Sequence, residues 1–280
     1  MRVLFISNDS TQRCGVRIFG DLWADALRGI GVEIDRWDGT YSTIYARGKY
    51  VPDNIGDYDL VHLNHDPQAI NHYLPKHFSG VKKLSLFLHD VPPNSTCPVF
   101  GIANLVMAME PGEGIHVIDH AVPDMGELPI LTIGRLRPYI GVCGIRNDAG
   151  RIDVEKLCER RGWGFNGPSA SWLTTEQEIT RLAQSDVNVC WYHVTGRGKS
   201  MGAMFCVAAR RPLVLSTSTM FSNLWPYEYE IMWGVPDSAE SLEPAVEEAL
   251  KRQMIPERAR RELSWTIRAK EIKALWEAMV

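Results

Sequence analysis

The chain has 280 residues, 45% of them hydrophobic and 23% charged, which is enough apolar material for two modest domains or one large one. A formal net charge of −4 excludes a global attraction to nucleic acid or to an anionic membrane. No apolar run approaches the roughly 18 residues of a membrane-spanning helix. Six cysteines, none in a Cys-x-x-Cys pair or at zinc-like spacing, read as buried thiols of a reducing cytosol.

Short apolar runs alternate with longer amphipathic stretches, the pattern of βαβ units and a parallel sheet. Arg2 to Ser7 reads as a buried strand and not as a secretory leader, so a cytoplasmic location is expected. A polar loop from Asn8 to Gly15 follows. Ile18, Phe19, Leu22, Trp23, Ala26 and Leu27 then recur at helical spacing, predicting a helix over Val16 to Arg28 that Gly29 and Gly31 stop. Further strands are predicted over Val32–Trp37, Tyr58–Asn64 and Lys83–Leu88, with weaker ones near Leu105–Met109 and Ile115–Ile118. Gln68 to Phe78 reads as a helix broken by Pro75.

A Pro- and Gly-rich stretch, about 123 to 138, marks the domain boundary. A second alternation follows. Strands are predicted at Tyr139–Ile145, Val187–Tyr192 and Leu213–Leu215. Helices are predicted at Val154–Arg161, Thr175–Gln184, Lys199–Ala209 and Ala239–Arg252, with one or two more over Pro256–Met279. The expected domains are 1–125, completed by a terminal helix 266–280, and 126–265. In open α/β sheets ligands sit at the carboxyl ends of strands. Those ends carry Asn8 to Val16, His65-Asp66, His89-Asp90, Ile145 to Arg151 and His193 to Ser200.

Gly196-Arg197-Gly198-Lys199-Ser200 opens a helix after a strand, where free backbone N–H groups and two cations suit a diphosphate. The spacing is not that of a P-loop, which needs a glycine at Val194. Gly15 permits close backbone approach to a ligand. Asn8 and Asp9 share its loop, and His65 lies at a neighbouring strand end; these three are candidate acceptor contacts.

Several segments together resemble the GT-B glycosyltransferases, most nearly glycosyltransferase family 4. They are Cys14-Gly15-Val16 after the first strand, Phe87-Leu88-His89-Asp90, and Val117-Ile118-Asp119-His120-Ala121-Val122-Pro123 before the linker. Gly141 to Arg146 and Ala208-Ala209-Arg210-Arg211-Pro212-Leu213-Val214 continue the likeness, which runs in order along nearly the whole chain. The resemblance implies two Rossmann-like domains facing across a cleft, with a nucleotide-diphosphate sugar held by the second. It implies transfer with retention and no essential metal, and no metal ligands or cofactor are assigned. Arg146 and Arg151 fall where the family binds the donor's diphosphate, joining Arg197, Gly198, Lys199 and Ser200. His89 falls where the family's histidine contacts the transferred sugar, as a hydrogen-bond donor in its neutral form; Asp90 is beside it. The chain departs from the family at its two donor-site glutamates, where Arg197 and Phe205 stand.

The acceptor is left open among glycan, lipid-linked sugar, protein, small molecule and the modified bases of DNA. Eight Lys/Arg against three acids between Lys251 and Lys273 form a possible strip for a phosphate-bearing acceptor, or a plain charged surface. Seven acids without a Lys or Arg run from Glu228 to Glu248, a solvated face in which Glu228 or Glu230 could replace the missing glutamates. The alternatives are a non-catalytic nucleotide-sugar-binding protein on the same scaffold and a nucleotide-sugar epimerase.

Overall fold

The computed structural model describes residues 1–8, 15–38, 50–65, 70–89, 97–128, 136–143, 148–168, 173–193, 200–235 and 239–280. The chain divides into two compact units, Met1–Asp119 with Trp265–Val280, and His120–Ser264. Asp9, Cys14, Asp66, Asp90, Arg146, Trp172, Arg197, Gly198 and Lys199 lie outside the described residues, as does the side chain of His65.

The first unit is built on a six-stranded parallel sheet, in order β2-β1-β3-β4-β5-β6. The strands are β1 (Arg2–Ser7), β2 (Glu33–Asp38), β3 (Leu60–His65), β4 (Leu84–Leu88), β5 (Leu105–Ala108) and β6 (Ile115–Val117). Parallel strands are buried on both faces, which is why β1 and β4 read as continuous apolar runs. One face packs the aliphatic cluster of Leu4, Ile6, Val61, Leu63, Leu86 and Leu88. The other carries α1 (Gly15–Gly29) and the last helix, α7 (Trp265–Glu277). Trp23 of α1 stacks on Trp276 of α7 at 6.4 Å between ring centroids and meets Phe5 edge-on. Gly31, at φ +82°, ends α1 in the left-handed region that only glycine adopts easily, and lets Val32 N–H bond back to the Leu27 carbonyl.

The second unit holds a five-stranded parallel sheet, in order β11-β10-β9-β7-β8. Its strands are β7 (Tyr139–Val142), β8 (Gly164–Asn166), β9 (Val187–Cys190), β10 (Leu213–Ser216) and β11 (Met232–Gly234). Between them run α2 (Asp148–Arg161), α3 (Thr175–Ala183), α4 (Met201–Ala208), α5 (Ala239–Arg252) and α6 (Glu257–Glu262). Thr174 caps α3 through a reciprocal box, its hydroxyl accepting from Gln177 N–H while the Gln177 side chain accepts from Thr174 N–H.

One expectation changes, and three elements appear where the sequence pattern predicts none. The helix predicted over Gln68–Phe78 is not one helix. Asn71 to Leu74 is non-helical, and Pro75 opens a 3-10 helix, Pro75–Phe78, because its fixed φ and missing N–H suit a first turn. The edge strands β8 and β11, three residues each, are too short for a period-2 pattern to register. The segment Thr219–Glu230 is a kinked 3-10 helix.

Burial also creates a polar spot inside the first unit. His62 of β3 is fully buried beside Phe5, Trp23 and Trp276, with Nδ1 3.1 Å from Ser85 Oγ. Trp276 Nε1–H donates to the same hydroxyl oxygen at 3.1 Å. Desolvation pushes the His62 imidazole down to about 3. The unfolded chain binds a proton near pH 6.5 that the folded chain refuses. Stability is therefore full above about pH 6.5 and drains away as pH falls towards 3, by up to about 1.4 kcal/mol per pH unit. Urea midpoints measured from pH 7.5 to 4.5 check this: His62→Phe should flatten the slope, and an equally steep slope in that variant would acquit His62.

Candidate functional site

Each sheet has a point where successive connections leave in opposite directions. From β1 the chain passes to β2 on one side and then to β3 on the other; from β7 it passes to β8 and then to β9. At such a point the two connections diverge and leave a crevice at the carboxyl ends of the strands. The two candidate sites are therefore the ends of β1 and β3 in the first unit, and of β7 and β9 in the second.

In the first unit, Ser7 and Asn64 pair across β1 and β3, and both are fully buried. Asn64 Nδ2–H donates to Ser7 Oγ at 3.1 Å and approaches the Val16 carbonyl at 3.5 Å. Its Oδ1 lies 2.7 Å from His89 Nε2, just beyond β4. His89 is 3% exposed, held edge-on by Phe19 at 5.1 Å and against Phe87 at 4.7 Å. Asn8 is also buried, and Arg17 donates to its carbonyl oxygen at 2.5 Å. Gly15 begins α1, with nothing within 4 Å of where a Cβ would stand. Asn8, Gly15 and His89 thus belong to one strand-end region. Asn64 and Ser7 were not singled out from the sequence, although a polar residue ending an otherwise apolar strand is the signal for both.

In the second unit, β7 runs into Cys143 and β9 into Trp191, Tyr192 and His193. His193 Nε2 lies 2.5 Å from Asp153 Oδ2, joining the end of β9 to the second turn of α2. Arg151 stands one half-turn earlier on α2, half-buried, and its Nε is buried without a hydrogen-bond partner among the described residues. Ser200 is the N-cap of α4. Its hydroxyl accepts from Ala203 N–H at 3.3 Å and shares a hydrogen bond with Tyr192 Oη at 3.1 Å, while its N–H donates to Met220 O. Ser200 therefore aims the helix start, and its polar groups are occupied by the protein. Burial raises the Tyr192 hydroxyl far above its usual range, so it remains an O–H.

Arg181 reaches the end of β7, donating to the Val142 carbonyl at 2.7 Å, but it is closed by Glu178 at 2.6 Å. Cys190 and Cys206 sulfurs lie 3.5 Å apart beneath α4. Desolvation pushes the Cys206 thiol well above its usual range and the Cys158 thiol up to about 12, so neither is a thiolate at neutral pH. The five described cysteines are all free and buried.

Phe205, at one of the two expected glutamate positions, is buried within α4. Glu230 does not replace it: its carboxylate accepts from Arg258 N–H at 3.0 Å and Ala259 N–H at 3.5 Å, capping α6, whose own N-cap Pro256 offers no side-chain bond. The basic strip is largely neutralised along its own helices. Arg252, Arg258, Arg260, Arg268 and Lys273 pair with Glu248, Glu262, Glu257, Glu271 and Glu277. The acids of α5 are engaged likewise, Glu243 and Glu247 meeting Arg160 and Arg161. One Asp-x-Asp triplet does occur, Asp57-Tyr58-Asp59, but it leads into β3 at its amino end, where Asp59 accepts from Arg2 N–H at 2.8 Å. That end lies opposite the crevice. No group of three or more metal-ligating side chains occurs among the described residues.

No protein-family model matches the sequence, and no curated protein does. Solved structures do. HepE of Anabaena in complex with UDP superposes with a TM-score of 0.64 at 14% identity, covering 99% of this chain and 100% of that one. Sucrose-phosphate synthase of Thermosynechococcus elongatus gives 0.65 at 11% identity, covering 100% and 99%. An α-glucosyltransferase in complex with UDP and a 13-mer DNA containing an A:G mismatch gives 0.58 at 11% identity, covering 100% and 99%. The chain has the GT-B glycosyltransferase fold, two Rossmann-like α/β domains, over its full length.

Gly20 of α1 faces the Ser7–Asn64 pair, and a Cβ there would stand 2.6 Å from Asn64 Nδ2 and 2.7 Å from Ser7 Oγ. Alanine normally stabilises a helix interior by about 1 kcal/mol over glycine. Here the clash dominates, and Gly20→Ala should lose about 1–3 kcal/mol in a urea titration. A gain in stability would show that the pair has room to move.

Proposed function

We propose that the protein is a glycosyltransferase, related to glycosyltransferase family 4, that moves a sugar from a nucleoside-diphosphate sugar to an acceptor with retention of anomeric configuration. The observation that carries this reading is the full-length match, in both directions, to GT-B proteins such as HepE, whose structures hold UDP and UDP-glucose. The unpartnered Arg151 Nε beside the β7–β9 crevice supports the second unit as the donor site. Arg146, Arg151, Arg197, Gly198 and Lys199 take the diphosphate, with the start of α4 adding backbone N–H groups that Ser200 aims. Arginines there stabilise the leaving nucleoside diphosphate, which gains charge in the transition state. His89 meets the reacting sugar, with Asp90 beside it and Gly15 allowing close approach; Asn8, Asp9 and His65 face the acceptor. The reaction takes place in the cytoplasm and uses the nucleotide sugar as co-substrate.

A second reading, transfer to a modified base in DNA, draws on the structural likeness to the α-glucosyltransferase solved with DNA containing an HMU base. The local pairing of the basic strip speaks against it.

Thermal shift against a panel of nucleoside diphosphates and nucleotide sugars is the direct test. UDP or UDP-glucose should raise Tm by mass action. Arg151→Ala should weaken UDP binding about tenfold, the loss of one charge-assisted contact; unchanged affinity would remove Arg151 from the donor site. His89→Ala should depress UDP release from UDP-glucose far more than UDP binding. Binding without any turnover, with every acceptor class tried, would leave a nucleotide-sugar-binding protein instead of an enzyme.

A further inference from the structure

Arg181 of α3 makes five hydrogen bonds, as many as a guanidinium has N–H groups. Nε and Nη2 donate to the two carboxylate oxygens of Glu178, one turn earlier, at 2.9 and 2.6 Å. Nη2 also donates to the carbonyl of Val142, the last residue of β7, at 2.7 Å. Nη1 donates to Asn166, the last residue of β8, at 2.5 Å to its carbonyl and 3.2 Å to its Oδ1. Asn166 reciprocates: its Nδ2 donates to the Arg181 carbonyl at 2.9 Å and to the buried Ser185 hydroxyl at 2.9 Å. One flat cation thus clasps the carboxyl ends of two strands that pair with each other.

We propose that Arg181 is a positioning residue for the donor site, a strut that sets where β7 and β8 end and, with β7, where the segment carrying Arg146 and Arg151 sets out. This rests on the proposed place of the diphosphate in the second unit. It adds a residue that acts without touching the ligand, since its donors are committed to protein. The energetics favour geometry over stability. The side chains of Arg181 and Glu178 are only 13% and 15% exposed. Desolvation of so buried a pair offsets most of its attraction, and an apolar pair of similar volume holds a fold about as well. What an apolar pair cannot supply is the planar fork that fixes two backbone carbonyls relative to each other. A lysine cannot supply it either, being a point charge on a flexible stem.

The test sets stability against UDP affinity in the full chain. The double variant Glu178→Leu, Arg181→Met removes both charges together and leaves neither one buried alone. Its urea midpoint should stay close to native, while its affinity for UDP, titrated calorimetrically well below Tm, should fall about tenfold. Arg181→Lys keeps a charge beside Glu178 and is the milder replacement should the double variant not fold; it too should lose UDP affinity. In 15N-labelled protein the amide signals of Cys143 and Gly167, which share peptide groups with the Val142 and Asn166 carbonyls, should move in either variant. Native UDP affinity in the folded double variant or in Arg181→Lys would overturn the positioning role, and unmoved Cys143 and Gly167 signals would overturn the clasp itself. A native protein that binds no UDP would instead remove the donor site, and the role of Arg181 with it, a result told apart from the first by the wild-type titration alone.

Discussion

Parallel strand pairing governs the rest of this structure. A parallel strand has helices over both of its faces, so a polar side chain placed inside it finds no water and must find a partner in protein. β3 alternates accordingly: Val61 and Leu63 enter the aliphatic cluster, while His62 and Asn64 face the helical layer of α1 and α7 and meet Ser85, Ser7 and His89 there. The same pairing sets all strands of a sheet running one way, which collects Asn8, Asn64 and His89 at one end of the first sheet and Tyr192 and His193 at the corresponding end of the second. Polar residues within the sheets and the chemistry at their ends are two outcomes of one constraint.

The two strand ends are ordered by different means. In the first unit, a chain of buried hydrogen bonds fixes the geometry, Ser7 to Asn64 to His89, and the helix opposite yields space at Gly20. In the second, the helix starts do the positioning: Ser200 caps α4 and is braced by Tyr192, whose backbone is tied in turn to Ser216. The Asp153–His193 pair joins strand to helix on the same side. Buried hydrogen bonds fix side-chain orientation, and a helix start leaves backbone N–H groups that favour an anion.

Much of the fold was legible because burial on both faces turns strands into apolar runs and the helices between them keep a 3.6-residue period. β1, β4 and α5 fall where the sequence places them. What escaped is what depends on the third dimension. β8 and β11 are edge strands of three residues, held by pairing to β7 and β10 and not by any pattern of their own. Pro75 looks like a breaker until its place at the head of a 3-10 turn is known. At the sites, His89, Arg151 and Ser200 could be singled out by type and position, but the sequence could not show that the Ser200 hydroxyl is spent on its own helix or that the buried Asn64 side chain meets His89 at 2.7 Å. Of the two readings of the charge run between Lys251 and Lys273, the plain charged surface is the one the structure supports, because helical spacing matches most of its cations with a glutamate one turn away.

The return of Trp265–Val280 to the first unit orders events during synthesis. The segment His120–Ser264 is contiguous and is finished before the ribosome has made the helix that covers Trp23, His62 and Ser85. The unit translated first is therefore completed last, and until then its sheet carries a bare aromatic flank, with the Ser85 hydroxyl waiting for a tryptophan encoded 191 residues downstream. A nascent chain in that state offers a large apolar surface to chaperones or to neighbours. Truncation within the last sixteen residues, Trp265 to Val280, is thus a lesion in the first-made unit and not in the segment to which those residues are joined.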